Sequence, residues 1–256
     1  MGTTAPRAPL DQKAITATSS QYWRVSVLDV TASTQDDLIE KVSNNIAQNG
    51  DVIIANHQSA GRGRLDRKFL APPSSALLFS LYLTPNIEVR RKDEWSFLPL
   101  LVGYSFAHTL KKLSADVSLK WPNDFMIGEK KVGGMISTLQ PDGVVIGVGI
   151  NISMSSQELP VENATSLALE GVAKLDRNLL LPILLNALEK DFNEWETGRD
   201  FVDEYTHLSS TVGSRVQIEI SGRENVEGMA IAIDKSGQLH LDSGLVVSVG
   251  DVLHLR

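Results

Sequence analysis

Between Gln58 and Phe69 the chain reads Q-S-A-G-R-G-R-L-D-R-K-F, with two glycines alternating with two arginines and a third arginine close behind. Glycine has no Cβ, so Gly61 and Gly63 permit tight bending and bring backbone N–H groups within reach of a ligand. Arg62, Arg64 and Arg67 add planar forks that grip a carboxylate or phosphate through paired donors. Only Asp66 offsets them, and a run this cationic and this poor in apolar side chains is not core. It reads either as a solvated surface loop, as basic runs usually are, or as a loop that folds over an anion.

A second stretch, Leu119 to Gln140, contains K-W-P-N-D and K-V-G-G. Lys120 ends a short strand, and proline holds Trp121 extended, so Asn123 and Asp124 offer polar groups at a fixed place. Gly133 and Gly134 stand inside a strand, where they cost stability unless something approaches the backbone closely. Together Arg62, Arg64, Arg67, Lys120 and Lys131 suit a polyphosphate or acyl-phosphate, whose chemistry needs mainly positioning and charge neutralisation. Other chemistries lack their residues. The 5 histidines are scattered without an H-x-x-x-H pair, there is no cysteine, and neither G-x-S-x-G nor G-x-x-x-x-G-K-[ST] occurs.

The elements around these stretches alternate. A strand is predicted over Trp23–Val30, then a helix capped by Ser33 or Thr34 and ended by Gly50, burying Leu38, Ile39, Val42 and Ile46. Hydroxyls at that helix start serve as caps or as donors to a ligand. Asp51–His57 and Ala76–Thr84 read as strands that fix both ends of the Gly-Arg loop. Trp95–Leu113 reads as a core helix with Pro99 in its first turn, and Gly128-Glu129-Lys130 as a hairpin turn. Val144–Ile152 is a strand with glycine at alternate positions, bare on one face either for packing or as a ligand floor. A helix over Leu179–Trp195 and a shorter one to Leu208 follow, then about five short strands from Val212 onward, the pattern of a small β-barrel.

At 256 residues the chain has room for one large domain and a small one, and its net charge of −7 argues against general affinity for nucleic-acid backbone. It contains no run long enough to span a bilayer and no signal peptide in residues 1–20, so a cytoplasmic protein with no membrane partner is expected.

Q-S-A-G-R-G-R at 58–64, K-W-P-N-D at 120–124, K-V-G-G at 131–134 and G-V-G-I-N at 147–151 resemble, in order, the signature blocks of biotin protein ligases; Ser33-Thr34-Gln35 resembles the family's S-T-N block. The resemblance runs from about Trp23 to Asn151 and implies an α+β fold: a mixed β-sheet catalytic domain flanked by helices over 21–208, and a C-terminal SH3-like β-barrel over 209–256. Residues 1–20 are expected to be a flexible tail, too short for the DNA-binding domain of some relatives.

The resemblance further implies a two-step ligase that makes biotinyl-5′-AMP from biotin and MgATP, then biotinylates a lysine of a biotin carboxyl carrier domain. Biotin would be bound by Ser33, Thr34, Gln35, Gln58, Gly61, Arg62, Lys131, Gly133 and Gly134. The nucleotide would be served by Arg64, Arg67, Phe69, Lys120, Asn123, Asn151 and Arg256, with Arg62, Lys120 and Lys131 catalytic. Asp124 would either help position magnesium or hold a basic side chain. Gln35 replaces the usual asparagine and Phe69 the common tryptophan, which implies altered affinity. The alternatives are a lipoate or octanoate ligase of the same fold, or a nucleic-acid-binding module. A monomer and a homodimer both remain compatible.

Overall fold

In the computed structural model, which describes residues 7–64, 67–172, 176–219, 225–248 and 250–255, contacts gather the chain into two units that do not follow chain order. One comprises Met1–Thr84 and Val132–Asn186, the other Pro85–Lys131 and Ala187–Arg256.

The first unit holds α1 (Gln12–Thr18), β1 (Arg24–Thr31), α2 (Thr34–Ser43), β2 (Asp51–Gln58), β3 (Ala76–Leu83), most of β6 (Lys130–Gln140) and β7 (Gly143–Asn151). Its strands lie in the order β1-β2-β3-β7-β6; β1 and β2 are parallel, the remaining pairs antiparallel. β3 and β7 are buried along their whole length, which is why their sequences are near-continuous apolar runs rather than alternations. α2 buries Leu38 against Ile53, Tyr82 and Val145. Its cap is Ser33, whose Oγ accepts from the Asp36 N–H, and Asp36 and Asp37 suit the positive first turn.

Two expectations fail here. α2 stops at Ser43, Asn45 takes a left-handed φ of 57° and Ile46 is 63% exposed, so Ile46 does not extend the buried face and Gly50 does not end the helix. Gly50 instead takes φ 86° immediately before β2. The expected flexible tail is, from Arg7 onward, part of the fold. Asp11 caps α1 by accepting from the Lys13 and Ala14 N–H groups, and Leu10 and Ile15 are buried. Residues 1–6 lie outside the described residues.

The second unit begins with a 3-10 turn over Lys92–Phe97 leading into α3 (Leu98–Lys112), with Pro99 where its missing N–H costs nothing. β4 (Val117–Lys120) and β5 (Asp124–Ile127) pair antiparallel, and α3 packs on β4, β5 and α5 (Val202–Leu208). α4 (Arg177–Glu196) carries the chain from the first unit into the second. The last segment forms β8 (Arg215–Glu219), β9 (Val226–Ile233), β10 (Leu239–Leu241), β11 (Val246–Val247) and β12 (Asp251–His254), an antiparallel sheet in the order β11-β10-β9-β8-β12. This is the small SH3-like module the turn spacing predicts. Among the described residues no helix is long and apolar enough to cross a membrane.

Candidate active site

The first unit assembles one polar cluster over the glycine strip of β7. Gln58, at the end of β2, accepts from both the Thr34 N–H (2.8 Å) and Thr34 Oγ1 (3.0 Å), and Thr34 Oγ1 shares a further hydrogen bond with Ser80 Oγ at 2.9 Å. Gln35 is 3% exposed; its Nε2 donates to Thr138 Oγ1 and to the Val145 carbonyl, both at 3.2 Å, which fixes the amide's orientation. Its Oε1 is buried and has no hydrogen-bond partner among the described residues. An unmet buried acceptor costs roughly 1–3 kcal/mol, so this oxygen is poised for a donor that the described residues do not supply.

The same oxygen lies 2.6 Å from where a Cβ on Gly147 would sit, and the Phe69 ring comes within 2.7 Å of the corresponding position on Gly149. The two glycines therefore serve close approach, with the Gln35 amide over one and an aromatic ring over the other. Gly133 has a plainer reason: the Gly149 carbonyl of the neighbouring strand stands 2.5 Å from its missing Cβ.

The Gly-Arg loop is folded back on itself. The Phe69 N–H donates to the Gly61 carbonyl (2.9 Å), the Gly63 N–H donates to the Arg67 carbonyl (2.7 Å), and Arg62 bridges Lys68. Arg62 Nη1 pairs with Asp36 Oδ1 at 2.7 Å at the start of α2, both side chains about half exposed. An exposed pair of this kind is worth little, so Asp36 does not lock the Arg62 guanidinium in place. Arg64 and Arg67 form the described part of the loop tip, where the Arg67 N–H donates to the Arg64 carbonyl at 3.1 Å. Asn151 is buried at the end of β7, its Nδ2 donating to the Thr165 carbonyl at 2.9 Å.

The second unit holds the lysines. Lys120 on β4 and Asp124 on β5 face each other across the strand pair, and Asp124 Oδ1 accepts from Lys131 Nζ at 2.6 Å. Of the two roles open to Asp124, holding a basic side chain is the one this geometry displays. Burial pushes the Lys120 ammonium below the ordinary lysine range; Lys131 adds to the fall, while Asp124 and Asp251 oppose it. His254 is likewise pushed down, by burial and then by Lys120. The Asn123 N–H closes the turn onto the Lys120 carbonyl. Trp121, 1% exposed, donates its backbone N–H to Thr211 Oγ1 (3.0 Å) and its indole Nε1–H to the Gly237 carbonyl (2.9 Å), and its bond to Pro122 is cis. Arg256 lies outside the described residues.

Sequence reasoning missed Ser80, Asp36 and Thr138 in the first unit, and Asp251 and His254 beside Lys120. Ser80 left a signal: it is the one polar residue inside the wholly buried run L-L-F-S-L-Y-L. Asp36 adjoins the Ser33-Thr34-Gln35 block and shows in sequence only as a first-turn acid, while Thr138, Asp251 and His254 come from distant segments and left none.

Residues 27–154 match the model of the Biotin/lipoate A/B protein ligase family. A biotin–[acetyl-CoA-carboxylase] ligase from Mycobacterium tuberculosis is 34% identical over 263 aligned residues, covering 98% of this chain and 97% of that protein. The bifunctional ligase/repressor BirA of Escherichia coli is 31% identical, covering 91% of this chain and 74% of its own. Among solved structures, the biotin protein ligase of Aquifex aeolicus in complex with biotin and ATP matches with a TM-score of 0.75 at 27% identity, covering 91% of this chain and 99% of that one.

Proposed function

Because the chain belongs to the biotin/lipoate A/B protein ligase family, we propose that it is a biotin protein ligase, activating biotin with ATP to biotinyl-5′-AMP and passing biotin to a lysine of a biotin carboxyl carrier protein. The single observation that carries the biotin reading is the Gln35 amide: a fixed, buried, unmatched acceptor over a glycine-bared strand. A ureido ring brings N–H donors to such an acceptor, whereas a dithiolane or an alkyl chain brings none and leaves it unsatisfied. The lipoate and octanoate alternatives are accordingly not favoured.

In the first step an oxygen of the biotin carboxylate attacks the α-phosphorus of ATP and pyrophosphate leaves. Two anions must meet, and at about 4 Å their repulsion at an effective dielectric of 20 is roughly 4 kcal/mol. Countering it is the task of the cations. Arg62 exchanges Asp36 for the substrate carboxylate, and Lys120 and Lys131 neutralise charge at the carboxyl and the α-phosphate as the bond forms. Ser33, Thr34, Gln35, Gln58, Gly61 and Gly134 hold the biotin head. Phe69 packs on adenine, and Arg64, Arg67, Asn123 and Asn151 serve the rest of the nucleotide. In the second step the neutral amine of the carrier lysine attacks the acyl carbon and AMP leaves. Magnesium, carried in with ATP, would lower the charge of the phosphates. The reading places the protein in the cytoplasm with the carboxylase it serves.

The test is direct. The purified chain is incubated with ATP, magnesium, a carrier domain and either biotin, lipoate or octanoate, and the carrier is weighed by mass spectrometry. Biotin should add its acyl mass to one lysine and the other acids should add nothing; acylation by lipoate at an equal rate would reverse the assignment. Lys131→Ala should lower biotin-dependent pyrophosphate release by about a hundredfold or more, and unchanged release would remove that lysine from the chemistry.

A further inference from the structure

The N-terminal segment makes a contact that none of the motif residues accounts for. Arg7 forms four hydrogen bonds, all to the segment that follows β7. Its Nε donates to Ser153 Oγ (3.0 Å), Nη2 to the Ser153 carbonyl (2.8 Å) and to Glu158 Oε2 (2.6 Å), and Nη1 to Glu158 Oε1 (3.1 Å). Glu158 also accepts from the N–H and hydroxyl of Ser155. The Arg7 guanidinium, first among its partners, holds the Glu158 carboxyl down at about 2.

This segment carries two groups of interest. Asn151 immediately precedes it, and Met154 within it belongs to the apolar cluster of Ala71, Ala76 and Leu78 against which Phe69 packs. The segment is not fixed by close packing everywhere. A cavity of about 440 Å³, bordered by Arg7, Ser74, Ile152, Ser153, Ala168 and Arg177, opens beside it. Where side chains do not interdigitate, position has to be set by directional bonds. The Ile152 and Ser153 N–H groups donate to the Ser75 carbonyl, the Ala168 N–H to the Ile152 carbonyl, the Glu158 N–H to the Ser155 carbonyl and Ser166 Oγ to the Met154 carbonyl, and Arg7 adds its four. Among the described residues, Arg7 alone bonds to both Ser153 and Glu158 through its side chain.

We propose that Arg7 is a positioning residue for the nucleotide: its clasp on Ser153 and Glu158 sets the place of Met154 and hence of Phe69, the ring assigned to adenine, and steadies the neighbouring Asn151. This rests on the reading of Phe69 and Asn151 given above. Arg7 touches no reacting atom, so its effect falls on nucleotide affinity and not on the chemical step.

The experiment is biotin-dependent ATP–pyrophosphate exchange by wild type, Arg7→Ala, Arg7→Lys and Glu158→Gln, with ATP and biotin varied separately and melting temperatures measured alongside. Arg7→Ala and Glu158→Gln should each raise the KM for ATP about tenfold, with kcat and the KM for biotin within about twofold. Arg7→Lys keeps the charge without the planar fork and should fall between. Without ligand, amide exchange over residues 152–158 and at Phe69 should quicken in Arg7→Ala. An unchanged KM for ATP in an active Arg7→Ala protein overturns the proposal. So does a loss spread equally over both substrates and tracking the melting temperature, which marks a merely structural contact. Wild type without exchange activity refutes the ligase reading itself, and the proposal with it.

Discussion

At the scale of single residues, Lys120 bears a conflict between stability and chemistry. Its folded-state pKa lies below the unfolded 10.5 because burial penalises the charge more than Asp124 and Asp251 repay. Between those two values the unfolded chain binds the extra proton, so this group's contribution to stability rises with pH across that window, and below it the whole cost of the buried charge is present. Lys120→Met should therefore abolish adenylate formation yet raise the melting temperature at pH 7, an advantage that narrows as pH approaches 10.5. Calorimetric melting at pH 7 and pH 10 measures both, and a destabilised Met variant at pH 7 would contradict the burial argument. The lysine itself was legible in K-W-P-N-D, as the glycines were legible in G-V-G-I-N. What presses on Lys120 was not, because Asp251 and His254 come from the far end of the chain and only the fold brings them near.

At the scale of elements, the chain's apolar grammar marked the strands and long helices well, since β-branched runs and capped amphipathic turns carry local signals. It failed where local signal was weak. α1 (Q-K-A-I-T-A-T) buries only Ile15 and has no stripe to read. It is held by bonds to distant residues, such as the Asp11 N–H to Asn178 Oδ1. The passage near Ser209 reads as a domain boundary, yet the Ser210 N–H donates to the Leu119 carbonyl and Thr211 receives the Trp121 N–H. The β-rich C-terminal module thus buttresses the strand that ends in Lys120. Trp121→Ala should cost about 3–5 kcal/mol, and removing residues 210–256 should expose the Trp121 indole, seen as a red shift of its fluorescence. A truncated chain whose tryptophan emission matches the full protein would show that the buttress is dispensable.

At the scale of the molecule, the two units interleave along the sequence: residues 85–131 cluster with 187–256, and 1–84 with 132–186. Strand and helix periods cannot show such interleaving, because it depends on which segments return to meet. A ligand at 100 times its Kd adds about 2.7 kcal/mol to the state that binds it. Biotin together with a non-hydrolysable ATP analogue should therefore raise the melting temperature further than either alone, while lipoate should leave it unmoved; equal shifts from lipoate and biotin in a melting assay would count against the assignment.

The Phe69 ring over Gly149 carries one last thermodynamic implication. With that ring and the Gln35 amide already over the strand, the bare faces of Gly149 and Gly147 are covered before substrate arrives. Entry then exchanges one hydrocarbon neighbour for another and releases little ordered solvent. Titration calorimetry over a range of temperatures should give biotin a heat-capacity change noticeably less negative than its own buried surface implies, and Phe69→Ala should restore the larger value.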